Sequence, residues 1–170
     1  MMKHFAFTLG LMLLITTSVF AQAPSGNRID YKQKGAPIPP FKIDKSYGGT
    51  FTNYNLVKGK PVMIMIFSPQ CEHCAYVIDS LKKYADQFKV TQFVALAEER
   101  HKEHMIPFMQ RTKMPAYPLF KNTGTNKGEF IAAVYTQKIL PQIIVYDADH
   151  KMVQIFDDNF SFDSLKPYIK

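Results

Sequence analysis

Cys71-Glu72-His73-Cys74 contains both cysteines of the chain, with two residues between them. Two thiols at this spacing can cycle between a dithiol and an internal disulfide. The apolar run Val62-Met63-Ile64-Met65-Ile66-Phe67 stands just before them. The pair therefore falls where a buried strand ends and a helix begins. Unpaired N–H groups at a helix N-terminus stabilise negative charge, and the thiolate is the form that attacks. Cys71 is the expected attacking sulfur. Cys74 lies one turn in, on the apolar stripe of the helix, and is expected to be buried and to resolve the mixed disulfide. A permanent structural bridge is the bland alternative, but closing so small a loop would restrict the unfolded chain little.

His73 could donate a hydrogen bond or positive charge to the Cys71 thiolate, which would stabilise the reduced form and make the pair more oxidising. Glu72 opposes this with negative charge. The bland alternative for His73 is a solvated residue at the helix start.

The elements that must position this pair are legible around it. Lys58-Gly59-Lys60-Pro61 is a turn into the buried strand, Pro61 to Phe67, which lacks the alternation of a strand with one wet face. Cys74, Val77, Ile78, Leu81, Tyr84, Ala85 and Phe88 then recur at helical spacing. Val90 to Leu96 reads as a second strand, parallel to the first through a right-handed crossover. Phe41–Ile43 and Thr50–Phe51 suggest a small hairpin around Ser46-Tyr47-Gly48-Gly49. Met105, Phe108 and Met109 have helical spacing, and Pro107 places the helix start near Ile106. Tyr117–Phe120 reads as a short strand, Lys121–Gly128 as a loop and Glu129–Val134 as a short helix. Gln142–Tyr146 and Met152–Phe156 form an antiparallel hairpin around Asp147-Ala148-Asp149-His150. Phe162, Leu165 and Tyr168 or Ile169 give a closing helix, with Ser161 or Asp163 near its cap.

Lys3 followed by an apolar stretch from Phe5 to Phe20, with Val19 and Ala21 as small positions, reads as a secretory signal peptide over residues 1–21. No cysteine lies there to carry a lipid anchor. Residues 22–34 read as a polar spacer, and residues 35–170 as one domain. The expected location is the periplasm, where disulfides persist. The formal charge is +7, but the lysines are scattered without a dense run, so no nucleic-acid partner is expected.

The order of elements resembles the thioredoxin superfamily, and within it the exported branch typified by the TlpA and ResA proteins. Gly35-Ala36-Pro37 with Phe41, Lys58-Gly59-Lys60-Pro61, Phe67-Ser68-Pro69-Gln70-Cys71-Glu72-His73-Cys74, Leu140-Pro141 and Asp147-Ala148-Asp149-His150-Lys151 carry the resemblance. It implies an α/β thioredoxin fold, a central mixed sheet flanked by helices, with an N-terminal β-hairpin extension. It implies that Pro141 is a cis-proline facing the dithiol, and that Leu140 and Pro141 line a groove for a substrate strand. It also implies a thiol–disulfide oxidoreductase acting on protein thiols or disulfides, served by a membrane-bound redox partner and needing no cofactor.

The resemblance has departures. Such reductants often bury a carboxylate near the second cysteine, but Met65 lies six residues before Cys71 and Val77 six after it. Glu98 or Glu99 could substitute from the end of the second strand. Peroxiredoxins share the fold and carry Thr or Ser three residues before the reactive cysteine and Pro seven before. Ser68 fits the first position, while Ile64 occupies the second. An alternative from another class is a copper or zinc module joining Cys71 and Cys74 to His101 and His104, although that spacing suits no common zinc fold. Met105, Met109 and Met114 read as core or loop residues rather than copper ligands.

Overall fold

The computed structural model describes residues 29–136, 139–157 and 160–170. The expected signal segment and most of the spacer lie outside them. Within the last spacer residues, Asp30 accepts from the Lys32 N–H and the Gln33 side chain, so this stretch is turned rather than featureless.

One sheet organises the domain. Its strands are β1 (Lys42–Lys45), β2 (Thr50–Thr52), β3 (Val62–Ile66), β4 (Gln92–Glu98), β5 (Thr123–Asn126), β6 (Gln142–Tyr146) and β7 (Met152–Phe156), in the order β2-β1-β5-β4-β3-β6-β7. β3 runs parallel to β4 and antiparallel to β6, which makes the sheet mixed. The helices are α1 (Glu72–Lys82), α2 (Lys102–Arg111), α3 (Glu129–Val134) and α4 (Phe162–Leu165).

β3 explains its own lack of alternation. Met63 and Met65 enter a core shared with Cys74, Val77, Ile78 and Leu81 of α1 and with Met105 and Phe108 of α2. Val62, Ile64 and Ile66 enter a second core with Phe130, Ile131 and Val134 of α3. A strand covered on both faces needs apolar residues at every position. The parallel β3–β4 pair requires a crossover, and α1 supplies it.

Several expectations are corrected. α1 stops at Lys82 rather than running to Phe88. Tyr84 leaves the helical region at φ −112° and stacks on Phe162, with ring centroids 4.8 Å apart. Tyr84 and Phe88 still pack on the core, but from outside the helix. β4 begins and ends two residues later than expected, because the N–H groups of Val90 and Thr91 bond the Lys170 carbonyl instead of a neighbouring strand. α2 begins at Lys102, before Pro107. Pro107 deprives the Glu103 carbonyl of a partner, but both residues are exposed, so water can take that place. Tyr117–Phe120 is not a strand: residues 114–122 form two 3₁₀ turns started by Pro115 and Pro118.

The expected loop from Lys121 to Gly128 contains β5, the strand that joins the N-terminal hairpin to the sheet. It pairs with β1 on one side and β4 on the other. At the opposite edge, residues 35–38 lie beside the start of β7. Gly35 donates to the Met152 carbonyl at 2.8 Å, Met152 donates to Ala36 at 2.8 Å, and Ile38 donates to His150 at 3.2 Å.

Candidate active site

β3 delivers the chain to the dithiol, and residues 67–70 turn it into α1. Cys71 is the N-cap residue, with extended backbone (φ −97°, ψ 110°). Its Sγ accepts the Cys74 N–H at 3.1 Å, one of the donors a helix start leaves unpaired. Ser68 holds the approach: its hydroxyl accepts the Gln70 N–H at 3.2 Å and its carbonyl the Cys71 N–H at 3.1 Å. Both cysteines are thiols. Cys71 is partly exposed, whereas Cys74 is fully buried.

The two sulfurs are unequal for physical reasons. Burial first, and the Cys71 side chain second, push the Cys74 thiol well above the ordinary range, while weaker backbone hydrogen bonds act the other way. The proton stays on Cys74, whereas Cys71 is the sulfur that faces the helix N–H and the solvent. Iodoacetamide at neutral pH is therefore expected to add once to the native reduced protein, at Cys71, and twice after unfolding. Peptide mapping reads this directly, and two native additions would contradict the assignment.

Leu140, just ahead of the neighbouring strand β6, closes the site. The Cys71 thiol donates to the Leu140 carbonyl at 3.5 Å, and the Leu140–Pro141 peptide is cis. A cleft of about 500 Å³ opens here, lined by Ile66, Phe67, Cys71, His73, Glu98, Arg100, His101, Ile131, Tyr135, Ile139 and Leu140. Leu140 thus lines the cleft, while Pro141 is buried behind it.

Glu72 turns away from the sulfur and pairs with Arg111 at the end of α2, at 2.9 Å. The pair is exposed and adds little stability, yet it sets a cation against the negative charge of Glu72. His73 is exposed and stacks on Tyr76, one turn along, with centroids 6.2 Å apart and planes 15° apart. Glu98 reaches the cleft and bonds Arg100 at 2.6 Å; Glu99 is not part of the wall. His101 also lines the cleft. Burial first, and then Arg100, lower its pKa, with Glu98 acting in the other direction, so the neutral imidazole is favoured. Met65 and Val77 sit in the core with Cys74, which leaves no carboxylate at either expected position.

The proposed metal set does not come together. His104 is exposed on α2 and lies outside the cleft wall. Among the described residues, no group of three or more His, Cys, Asp or Glu side chains is placed to hold a metal ion. Met105, Met109 and Met114 are buried in the core.

Sequence reasoning missed Gln142, the first residue of β6. It is fully buried, and both ends of its amide are used. Oε1 accepts the Thr136 N–H at 2.9 Å and the Thr136 hydroxyl at 3.0 Å, while Nε2 donates to the Val134 carbonyl at 3.0 Å. These bonds fix the end of α3 and the start of the segment that leads to Leu140. The available signal was a lone polar residue opening an otherwise apolar strand. Gln142→Leu should leave the buried Val134 carbonyl without its partner and release the Thr136 N–H, costing on the order of 2 kcal/mol, and should slow thiol exchange by shifting Leu140. Thermal unfolding and exchange rates measured together test this. A fully stable and fully active variant would remove Gln142 from the positioning machinery.

A dithiol at the start of the helix after the central strand, beside a cis-proline that leads into the neighbouring strand of a mixed sheet, defines a thioredoxin-like protein with a thiol–disulfide oxidoreductase-like fold. The chain belongs to the AhpC/TSA family, whose profile matches residues 34–155. Within that family, Ile64 still stands where the peroxidatic pattern has proline. Ile64 is paired on both sides, with Val94 and Ile144, a setting that proline does not suit.

No curated protein sequence matches the chain. Solved structures share its fold. One is a secreted Mycobacterium tuberculosis disulfide oxidoreductase homologous to E. coli DsbE, with TM-score 0.62, 22% identity, and coverage of 76% of this chain and 93% of that one. Another is the thioredoxin domain of a Bacteroides vulgatus thiol–disulfide oxidoreductase, with TM-score 0.65, 18% identity, and coverage of 81% and 99%. A thiol–disulfide oxidoreductase from Bacteroides fragilis superposes with TM-score 0.62 at 11% identity, covering 77% and 95%.

Proposed function

We propose that this protein is a periplasmic thiol–disulfide oxidoreductase that exchanges disulfides with protein substrates through Cys71 and Cys74. The observation that carries this is the unequal pair: Cys71 Sγ takes a helix N–H in an open cleft, beside a fully buried Cys74 thiol that keeps its proton. In the reducing direction, Cys71 thiolate attacks one sulfur of a substrate disulfide. A Cys71–substrate disulfide forms, the substrate bond breaks, and the departing thiolate takes up a proton. Once Cys71 is covalently bound, its sulfur no longer bears the charge that helped hold the proton on Cys74. Cys74 then attacks Cys71 Sγ and expels the second substrate thiolate, which takes up the proton that Cys74 gives up. Two electrons have passed to the substrate, and Cys71–Cys74 is a disulfide. The reverse sequence oxidises a substrate dithiol.

The backbone on either side of Leu140 suits a substrate strand, and the exposed Ile139 offers apolar contact next to it. The export reading rests on Lys3, the apolar stretch to Phe20 and Ala21. A membrane-bound partner would restore the pair after each turnover.

Trapping tests the reading. Cys74→Ser, expressed in its own exported setting, should accumulate mixed disulfides through Cys71 that reductant releases. The wild type should reduce insulin or a comparable protein disulfide. Failure of both would sink the proposal.

A further inference from the structure

A second groove, of about 600 Å³, lies along α1 on the side facing the end of α2. Tyr76, Lys82, Lys83, Arg111, Lys113 and Tyr117 line it. Its cations come from two separate stretches of sequence, which the fold gathers into one place. Two are already engaged. Lys82 pairs with Asp79 at 2.5 Å and donates to the Thr112 carbonyl at 2.7 Å, and Arg111 pairs with Glu72. The exposed side chains of Lys83 and Lys113 have no hydrogen bond or ion pair among the described residues. Against these four cations the groove wall holds one acid, Asp79.

An aromatic pair links this groove to the dithiol cleft. Tyr76 lines the groove and stacks on His73, which lines the cleft. Arg111 of the groove also reaches back to Glu72, the residue next to Cys71. From Cys71 to Lys83 the helix covers about 18 Å, a distance that an extended chain spans in about five or six residues.

We propose that the basic groove along α1 docks an acidic segment of the protein substrate, placed about five or six residues from the cysteine that Cys71 engages. This rests on the exchange reading above and adds a substrate class to it. The engaged cations hold the walls, and Lys83 and Lys113 supply charge to the incoming carboxylates. The tyrosine rings offer flat surface to the intervening backbone. Attraction of this kind acts mainly on the encounter rate and weakens with salt.

Exchange kinetics on the full chain test it, using peptides that carry one mixed disulfide. One peptide has Asp or Glu at the fifth and sixth positions from its cysteine, and its twin has Ser there. Neutral hydroxyethyl disulfide reports the dithiol alone. At low salt the acidic peptide should react about tenfold faster than its twin, and the advantage should collapse in 0.5 M salt. Lys83→Glu combined with Lys113→Glu should abolish or invert the preference while hydroxyethyl disulfide turns over at the wild-type rate. Equal rates for the two peptides, or a preference that survives the double substitution, overturn the proposal. So does a double substitution that releases anionic phosphatidylglycerol vesicles but leaves the peptide rates unchanged, since the groove would then face a membrane. If the wild type reacts with neither peptide nor hydroxyethyl disulfide and also fails on insulin and in trapping, the exchange reading falls, and the docking proposal with it.

Discussion

Cys71→Ser is expected to bring insulin reduction down to the uncatalysed background while leaving the fold in place. Cys71 caps α1, so the substitution has to be judged as a cap as well as a nucleophile. Serine is among the favoured N-cap residues, and its hydroxyl can accept the Cys74 N–H that the sulfur now takes. Alanine would lose that bond, at a cost of about 1 kcal/mol. The serine variant therefore separates chemistry from stability. What it lacks is a thiolate, and the fully buried Cys74 has no open path to replace it. A turbidity assay with insulin, run beside a thermal melt, reads both quantities. Substantial activity in a stably folded serine variant would move the reactive sulfur to Cys74 and reverse the assignment of roles.

The largest structural effect is expected at Gly124, in the middle of β5. A Cβ there would meet the Asp44 carbonyl oxygen at 2.1 Å, with Asp44 C and Lys45 Cα both at 2.7 Å. All three are backbone atoms of β1 and cannot rotate aside. Gly124→Ala must push β1 away from β5, at a cost of about 3 kcal/mol. For a chain of this size that lowers the melting temperature by roughly 6–12 °C. The hairpin of β1 and β2 reaches the sheet through β5, so its hydrogen exchange should rise first. The dithiol lies on the far side of β4 and should keep its chemistry at low temperature. An unchanged melting temperature would show that the two strands can separate at little cost.

Gly124 also shows why part of the fold was hidden in the sequence. β3, β6 and β7 announce themselves through continuous apolar residues or a hairpin turn. Thr123-Gly124-Thr125-Asn126 has neither, and its composition matches that of a loop. What makes it a strand is tertiary: β1 and β4 offer their backbone edges, and a residue without a side chain lets one of them come close. The end of α1 is hidden for a related reason: Tyr84 stacks on Phe162, a partner from a distant part of the chain, instead of continuing the helix.

The site was legible where it depends on spacing along the chain. Cys71 and Cys74 could be placed on a helix start from the residues around them. Glu72 could not be assigned a partner, because Arg111 is brought to it only by the packing of α2. Gln142 was passed over because its bonds run to the backbone of Val134 and Thr136, which no side-chain motif records.

Residues 35–38, laid along the start of β7, have a consequence for where another chain can adhere. An uncovered sheet edge will accept an extended segment with little regard for its sequence. On the proposed exchange function, which brings extended segments to Cys71, the protein gains from being inhospitable to them elsewhere. By occupying backbone groups of His150 and Met152, the domain's own entry segment closes the start of the β7 edge to an incoming strand.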